Sequence, residues 1–98
     1  MGEIEITKIR VDNKSFLGVR IEMPNAPLLL IKGEKGFAMC GYLNPATAEK
    51  LGDAAVIVSG VRTFEDMLNS NIKWVSSKAR ELGVQEGNVL REEIGKLS

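Results

Sequence analysis

The stretch Phe37-Ala38-Met39-Cys40-Gly41-Tyr42-Leu43-Asn44-Pro45-Ala46-Thr47-Ala48-Glu49-Lys50-Leu51-Gly52-Asp53-Ala54-Ala55-Val56-Ile57-Val58 decides the fold. Its ends are apolar and short, as buried strands are. Between them lies a helix with both ends marked. Asn44 is a good N-cap, and Pro45 stands at the first helical position, where its missing N–H costs nothing. Leu43 and Ala48 occupy the two staple positions around the cap. Gly52 can adopt the left-handed conformation that ends a helix. A strand–helix–strand unit of this kind joins two parallel strands through a right-handed crossover.

Upstream, the chain reads as strands. Ile4 and Ile6 alternate with polar neighbours, and Ile9 and Val11 resume one step out of phase. That slip across Thr7-Lys8 predicts a β-bulge or bend. Asp12-Asn13-Lys14-Ser15 predicts a turn. Leu17, Val19, Ile21 and Met23 then alternate with Gly18, Arg20 and Glu22, predicting a strand with one wet face. Pro24-Asn25-Ala26-Pro27 stops it. Leu28 to Ile31 is apolar throughout and predicts a strand covered on both faces. Gly33-Glu34-Lys35-Gly36 is a hairpin turn, and Phe37 to Tyr42 returns the chain. The first four strands form an antiparallel meander, with its attachment to the parallel pair open on either side.

Downstream, Thr63 caps a helix with Asp66 at capping-box spacing, and Phe64, Met67 and Leu68 form its apolar stripe. Ser76 or Ser77 caps a helix through Leu82, closed by Gly83 with Val84 folding back. Asn88 is read as the cap of a last helix with the stripe Leu90, Ile94 and Leu97. Glu92-Glu93 and Lys78/Arg80/Glu81 read as solvated faces, and Trp74 as a core or subunit-contact residue. The fold class is α+β: one domain over residues 1–98, with an N-terminal meander, a mixed sheet and C-terminal helices packed on it.

Composition narrows the chemistry. The 98 residues carry 13 Lys+Arg and 13 Asp+Glu, one cysteine and no histidine. Without histidine there is no Ser-His-Asp triad, no Cys-His pair and no His-containing zinc site. One cysteine allows no internal disulfide or thiolate cage. The expectation is therefore no metal and no cofactor. Zero net charge gives no footprint for nucleic acid or an anionic membrane. No apolar run approaches the roughly 18 residues that span a bilayer. The start, Met1-Gly2-Glu3-Ile4-Glu5, shows no leader pattern, and a lone cysteine suits a reducing compartment. The expected location is cytoplasmic.

Topology selects the candidate site. Loops that follow two parallel strands emerge at one edge of the sheet, where ligands bind in open α/β sheets. Here these are the loops 40–44 and 59–63, and each leads into a helix N-terminus that favours an anion. Arg62 could clamp a carboxylate or phosphate with its planar fork, against the plain alternative of an ion pair or exposed side chain. Gly60, Thr63, Gly41, Asn44 and Tyr42 complete the ligand-binding set. Capping alone would also account for Thr63 and Asn44, and backbone needs for the glycines. Cys40 is the one catalytic candidate: a nucleophile tuned by Arg62 and the helix ends, or a small buried hydrophobe. With no histidine or nearby acid, it lacks a general base.

Met39-Cys40-Gly41-Tyr42-Leu43, Gly60-Val61-Arg62-Thr63-Phe64-Glu65-Asp66-Met67-Leu68 and Ala79-Arg80-Glu81-Leu82-Gly83-Val84 followed by Gly87 resemble the YunC-like family. These are small bacterial and archaeal proteins classed as a domain of unknown function. The resemblance covers nearly the whole chain and implies a compact single α+β domain. It implies no activity or catalytic residue.

The first expectation is therefore a non-catalytic module for a small anionic ligand, working as a homo-oligomer. A thiol-dependent enzyme using Cys40 is the second. An interaction subunit acting through sheet edges is the third.

Overall fold

The computed structural model describes residues 3–98, so the leader reading at Met1 and Gly2 falls outside it. Four strands come first: β1 (Ile4–Val11), β2 (Lys14–Ile21), β3 (Leu28–Lys32) and β4 (Phe37–Met39). Then follow α1 (Pro45–Leu51), β5 (Ala55–Ile57), α2 (Phe64–Leu68), β6 (Trp74–Val75), α3 (Ser77–Glu81) and α4 (Leu90–Glu93). A 3-10 turn over Ile94–Leu97 ends the chain. The sheet order is β1-β2-β3-β4-β5-β6, antiparallel everywhere except between β4 and β5. The meander thus attaches through β4. The α+β reading holds, with a two-residue strand, β6, that the sequence did not reveal.

The signals of the first three helices act where they were read. Asn44 Oδ1 accepts from Thr47 N at 3.2 Å, and Gly52 closes α1 with φ +76°. Thr63 Oγ1 accepts from Asp66 N at 3.0 Å at the head of α2. Ser76 caps α3, and its hydroxyl does more than cap. It accepts from Ala79 N at 3.2 Å and Ala55 N at 2.9 Å and donates to the Asp53 carbonyl at 2.7 Å. One buried side chain thereby joins the head of α3 to the start of β5. Next to it, Glu49 accepts from the Ser77 hydroxyl and, at 2.9 Å, from Ser77 N. These bonds hold its carboxyl below the ordinary glutamate value.

The main core lies between one sheet face and the C-terminal helices. Leu29, Ile31, Ala38, Val56 and Val58 meet Met67, Leu68, Ala79, Leu90, Ile94 and Leu97 there. Each large apolar side chain buried in it contributes roughly 1.5–3 kcal/mol. The crossover helix α1 belongs to the other face. Its one buried residue, Ala48, stands outside this core together with Ala55 and Ile57, which point away from it along β5.

Several expectations change. There is no bulge in β1: it pairs with β2 in unbroken register from Ile4↔Ile21 to Val11↔Lys14. The phase slip instead records a change of face, with Ile9 and Val11 inward and Ile4 and Ile6 outward. The turn is only Asp12-Asn13, both with positive φ, so Lys14 and Ser15 belong to β2. In β2 the apolar alternation faces away from the core. Phe16 and Gly18 are buried, while Leu17 is 44% exposed. Gly18 is inward because Phe64 of α2 and Ile9 fill the space a Cβ would need. In β3, Leu29 and Ile31 are fully buried but Leu28 and Leu30 are only half-buried. Finally, Asn88 does not cap α4, whose N-cap is Val89. Asn88 instead donates to Glu93 Oε2 at 2.9 Å, and Glu93 is buried at 5% exposure rather than solvated.

Candidate functional site

The parallel pair places its two exits side by side. Met39 pairs with Ile57, and Val58 N donates to the Met39 carbonyl at 3.0 Å. The antiparallel neighbour β3 starts at this same edge. Cys40 N donates to the Leu29 carbonyl at 3.1 Å, and Leu29 N donates to Cys40 Sγ at 3.4 Å. Three loops therefore meet.

Ala26-Pro27, Cys40 to Tyr42, and Ser59 to Val61 surround a depression of about 250 Å³. Pro27, Cys40 and Val61 are buried in its wall, while Tyr42 is exposed at its rim. The Tyr42 hydroxyl donates to the Ala26 carbonyl at 3.2 Å, tying two of the loops together. Gly60 has φ +71° with nothing near the position of a Cβ. Its role is backbone direction rather than close approach.

Of the residues singled out in the sequence, Cys40, Gly41, Tyr42 and Gly60 line this depression. Arg62, Thr63 and Asn44 do not. Thr63 and Asn44 act as caps, and each takes up an N–H of its own helix. With seven residues in α1 and five in α2, the helix ends offer an anion less than their position suggested. Arg62 follows the wall residue Val61. Its backbone N–H donates to Asp66 Oδ2 at 3.1 Å. Its side chain is exposed and joins no ion pair among the described residues.

Cys40 is 5% exposed, with its sulfur held by a backbone donor and no acidic side chain in the lining. Ala26 and Pro27 were not foreseen. Strand order was the missing signal: once β3 neighbours β4, its entry loop must lie at this edge. Among the described residues no cluster of Cys, Asp and Glu could hold a metal ion.

Residues 39–97 match the family model described as a domain of unknown function, DUF1805. The chain belongs to this family. The DUF1805 match opens at the end of β4, so it takes in both exit loops but not Ala26-Pro27. Whole-chain similarities include that loop. The uncharacterized protein YunC of Bacillus subtilis (strain 168) is 28% identical, over 96% of this chain and 97% of its own. A crystal structure of a protein of unknown function from Thermoplasma acidophilum superposes with a TM-score of 0.95 and 44% identity. That alignment covers 100% of this chain and 97% of the other. The YunC-like resemblance is thereby supported, and the fold is shared end to end with the Thermoplasma protein.

Proposed function

We propose that this DUF1805 protein is a non-catalytic module that binds a small organic anion in the depression between its three loops. The observation that carries the reading is the open depression itself, with an unpaired guanidinium one residue beyond its wall. Pro27, Tyr42 and Val61 suit the apolar body of a ligand. Arg62 suits its carboxylate or phosphate. Thiol catalysis is the weaker reading, because Cys40 is buried, hydrogen-bonded and without an adjacent base.

The test is a titration of the full chain with benzoate and with inorganic phosphate, followed by amide chemical shifts. Benzoate, which has both an apolar and an anionic part, is expected to move Tyr42, Gly60 and Arg62. A charge-assisted hydrogen bond contributes roughly 1.5–3 kcal/mol, so Arg62→Ala is expected to weaken binding about tenfold or more. Shifts that are absent, or untouched by Arg62→Ala, refute the reading.

Among the described residues no helix is long and apolar enough to cross a membrane. The lone cysteine supports a cytoplasmic location. Zero net charge weighs against a nucleic-acid partner. The unpaired outer edge of the eight-residue β1 supports self-association, which sedimentation velocity tests directly.

A further inference from the structure

β1 is the long free edge of the sheet. Among the described residues its only ladder partner is β2. The opposite edge, β6, is two residues long. The register fixes which backbone groups of β1 are free. In an antiparallel ladder, residues that bond to the neighbouring strand alternate with residues whose N–H and C=O point away from it. One step before the pair Ile4 and Ile21, Glu22 N donates to the Glu3 carbonyl at 2.7 Å. At the other end, the two-residue turn closes on the pair Val11 and Lys14. The odd-numbered residues therefore bond to β2. Ile4, Ile6, Lys8 and Arg10 present their backbone groups to the open side, and all four are exposed. Natural sheet edges are kept short, bulged, broken by proline or guarded by charge. β1 runs eight residues with no bulge and no proline. Its guards are Lys8 and Arg10, both in its second half.

We infer that β1 pairs antiparallel with β1 of a second copy about a two-fold axis at Thr7, joining the two sheets into one. This rests on the self-association read from the same edge and gives it a geometry. Phase and charge select the register together. A ladder forms only where outward residues meet outward residues. Pairing Ile4 with the second copy's Arg10, and Ile6 with its Lys8, uses all four positions and makes about eight hydrogen bonds. A slide of two residues one way sets Lys8 against Lys8, and like charges directly opposite destabilise a ladder. A slide the other way matches only Ile4, Ile6 and Lys8. In the selected register the aliphatic stems of Lys8 and Arg10 lie beside Ile6 and Ile4, which are 65% and 58% exposed. Thr7 meets its own copy at the axis, a favourable cross-strand pair. The contact is isologous and uses both long edges, so assembly stops at two copies.

The test uses the full chain. Thr7→Cys places a thiol at the axis. Residues of a non-hydrogen-bonded pair stand about 4.5 Å apart between Cα atoms, which is within disulfide range. Mild oxidation is expected to give a covalent dimer of Thr7→Cys. Wild type, whose Cys40 is buried, is expected to give none. Glu5→Cys is expected to give none either, since its two copies lie about 13 Å apart along the strands. Sedimentation velocity over a dilution series reads the non-covalent dimer. Ile6→Lys sets lysine against Lys8 on both sides of the axis and is expected to weaken it about tenfold. Adding Lys8→Glu is expected to restore it. Both positions are exposed, so neither change enters the core. A dimer that Thr7→Cys does not cross-link, or that Ile6→Lys leaves intact, keeps the self-association and overturns this geometry. Dispersal by Ile6→Lys without rescue by Lys8→Glu overturns it too, because it assigns Ile6 to another contact. A monomer throughout the dilution series overturns both the geometry and the self-association.

Discussion

Replacing Ser76 by alanine tests how the parallel pair is held in place. The hydroxyl is fully buried and makes three hydrogen bonds, two accepted and one donated. Alanine removes one oxygen and leaves almost no void, so the cost comes from the partners left behind. Loss of the cap on α3 costs about 1 kcal/mol. Ala55 is fully buried, and its N–H would then have no acceptor, which costs about 1–3 kcal/mol more. The sum is about 2–4 kcal/mol. In a domain of this size that corresponds to a fall in Tm of roughly 10–25 °C. Thr63→Ala is the control. It removes a cap at an exposed helix head and should cost about 1 kcal/mol or less. Urea unfolding followed by circular dichroism, with both variants under the same conditions, measures the difference. If Ser76→Ala costs no more than Thr63→Ala, the hydroxyl is only a cap and the link to β5 carries no energy.

Three further outcomes follow from particular residues. Burial pushes the Glu93 carboxyl up, yet bonds from Asn88 Nδ2, Lys96 Nζ and Gln85 N outweigh it and hold the value below the ordinary one. A lowered folded value gives stability above the unfolded value of about 4.3 that is lost as pH falls through the folded one. The stability difference between wild type and Glu93→Gln should therefore be full near neutrality and shrink in acid, as urea midpoints across pH will show. Asn13→Gly relieves a left-handed residue in the β1–β2 turn, and calorimetry should find a gain of a few tenths to about 1 kcal/mol. Gly60→Ala should cost about 1 kcal/mol through its positive φ alone, whereas Gly41→Ala, in open space at ordinary φ, should be neutral. A large loss at Gly41 would mean that something packs there.

The parts of the fold visible in the sequence are those with local causes. Asn44, Pro45 and Gly52 fix α1 through their own backbone chemistry, and Thr63 and Ser76 act likewise. Faces are different, because they depend on what packs against them. Leu17, Val19 and Ile21 announce an apolar face of β2, yet Phe64 docks on the other side, where Gly18 leaves room. The alternation was real and its direction was not readable. β6 has two residues and so no period to detect. Asn88 looked like a cap because asparagine bonds backbone N–H groups well, but a buried carboxylate claimed it. At the candidate site, two of the three loops followed from the parallel pair. The third needed the strand order, a non-local fact.

One crossover accounts for both surface features. Because β4 and β5 run parallel, their exits share an edge, and sequential strand order brings the β2–β3 loop to it. The depression needs no further device. The same crossover is made by a helix of seven residues. Such a helix is roughly 10 Å long and about as wide, which covers two strands at about 4.8 Å spacing and no more. On the outer face of β1–β3, Ile4, Ile6 and Leu17 stay exposed. If α1 were extended by a turn, it would still run over β4 and β5, so lengthening it would not cover Ile4 and Ile6. Only a second helix alongside it could. The exposure of Ile4 and Ile6 is thus a consequence of the topology.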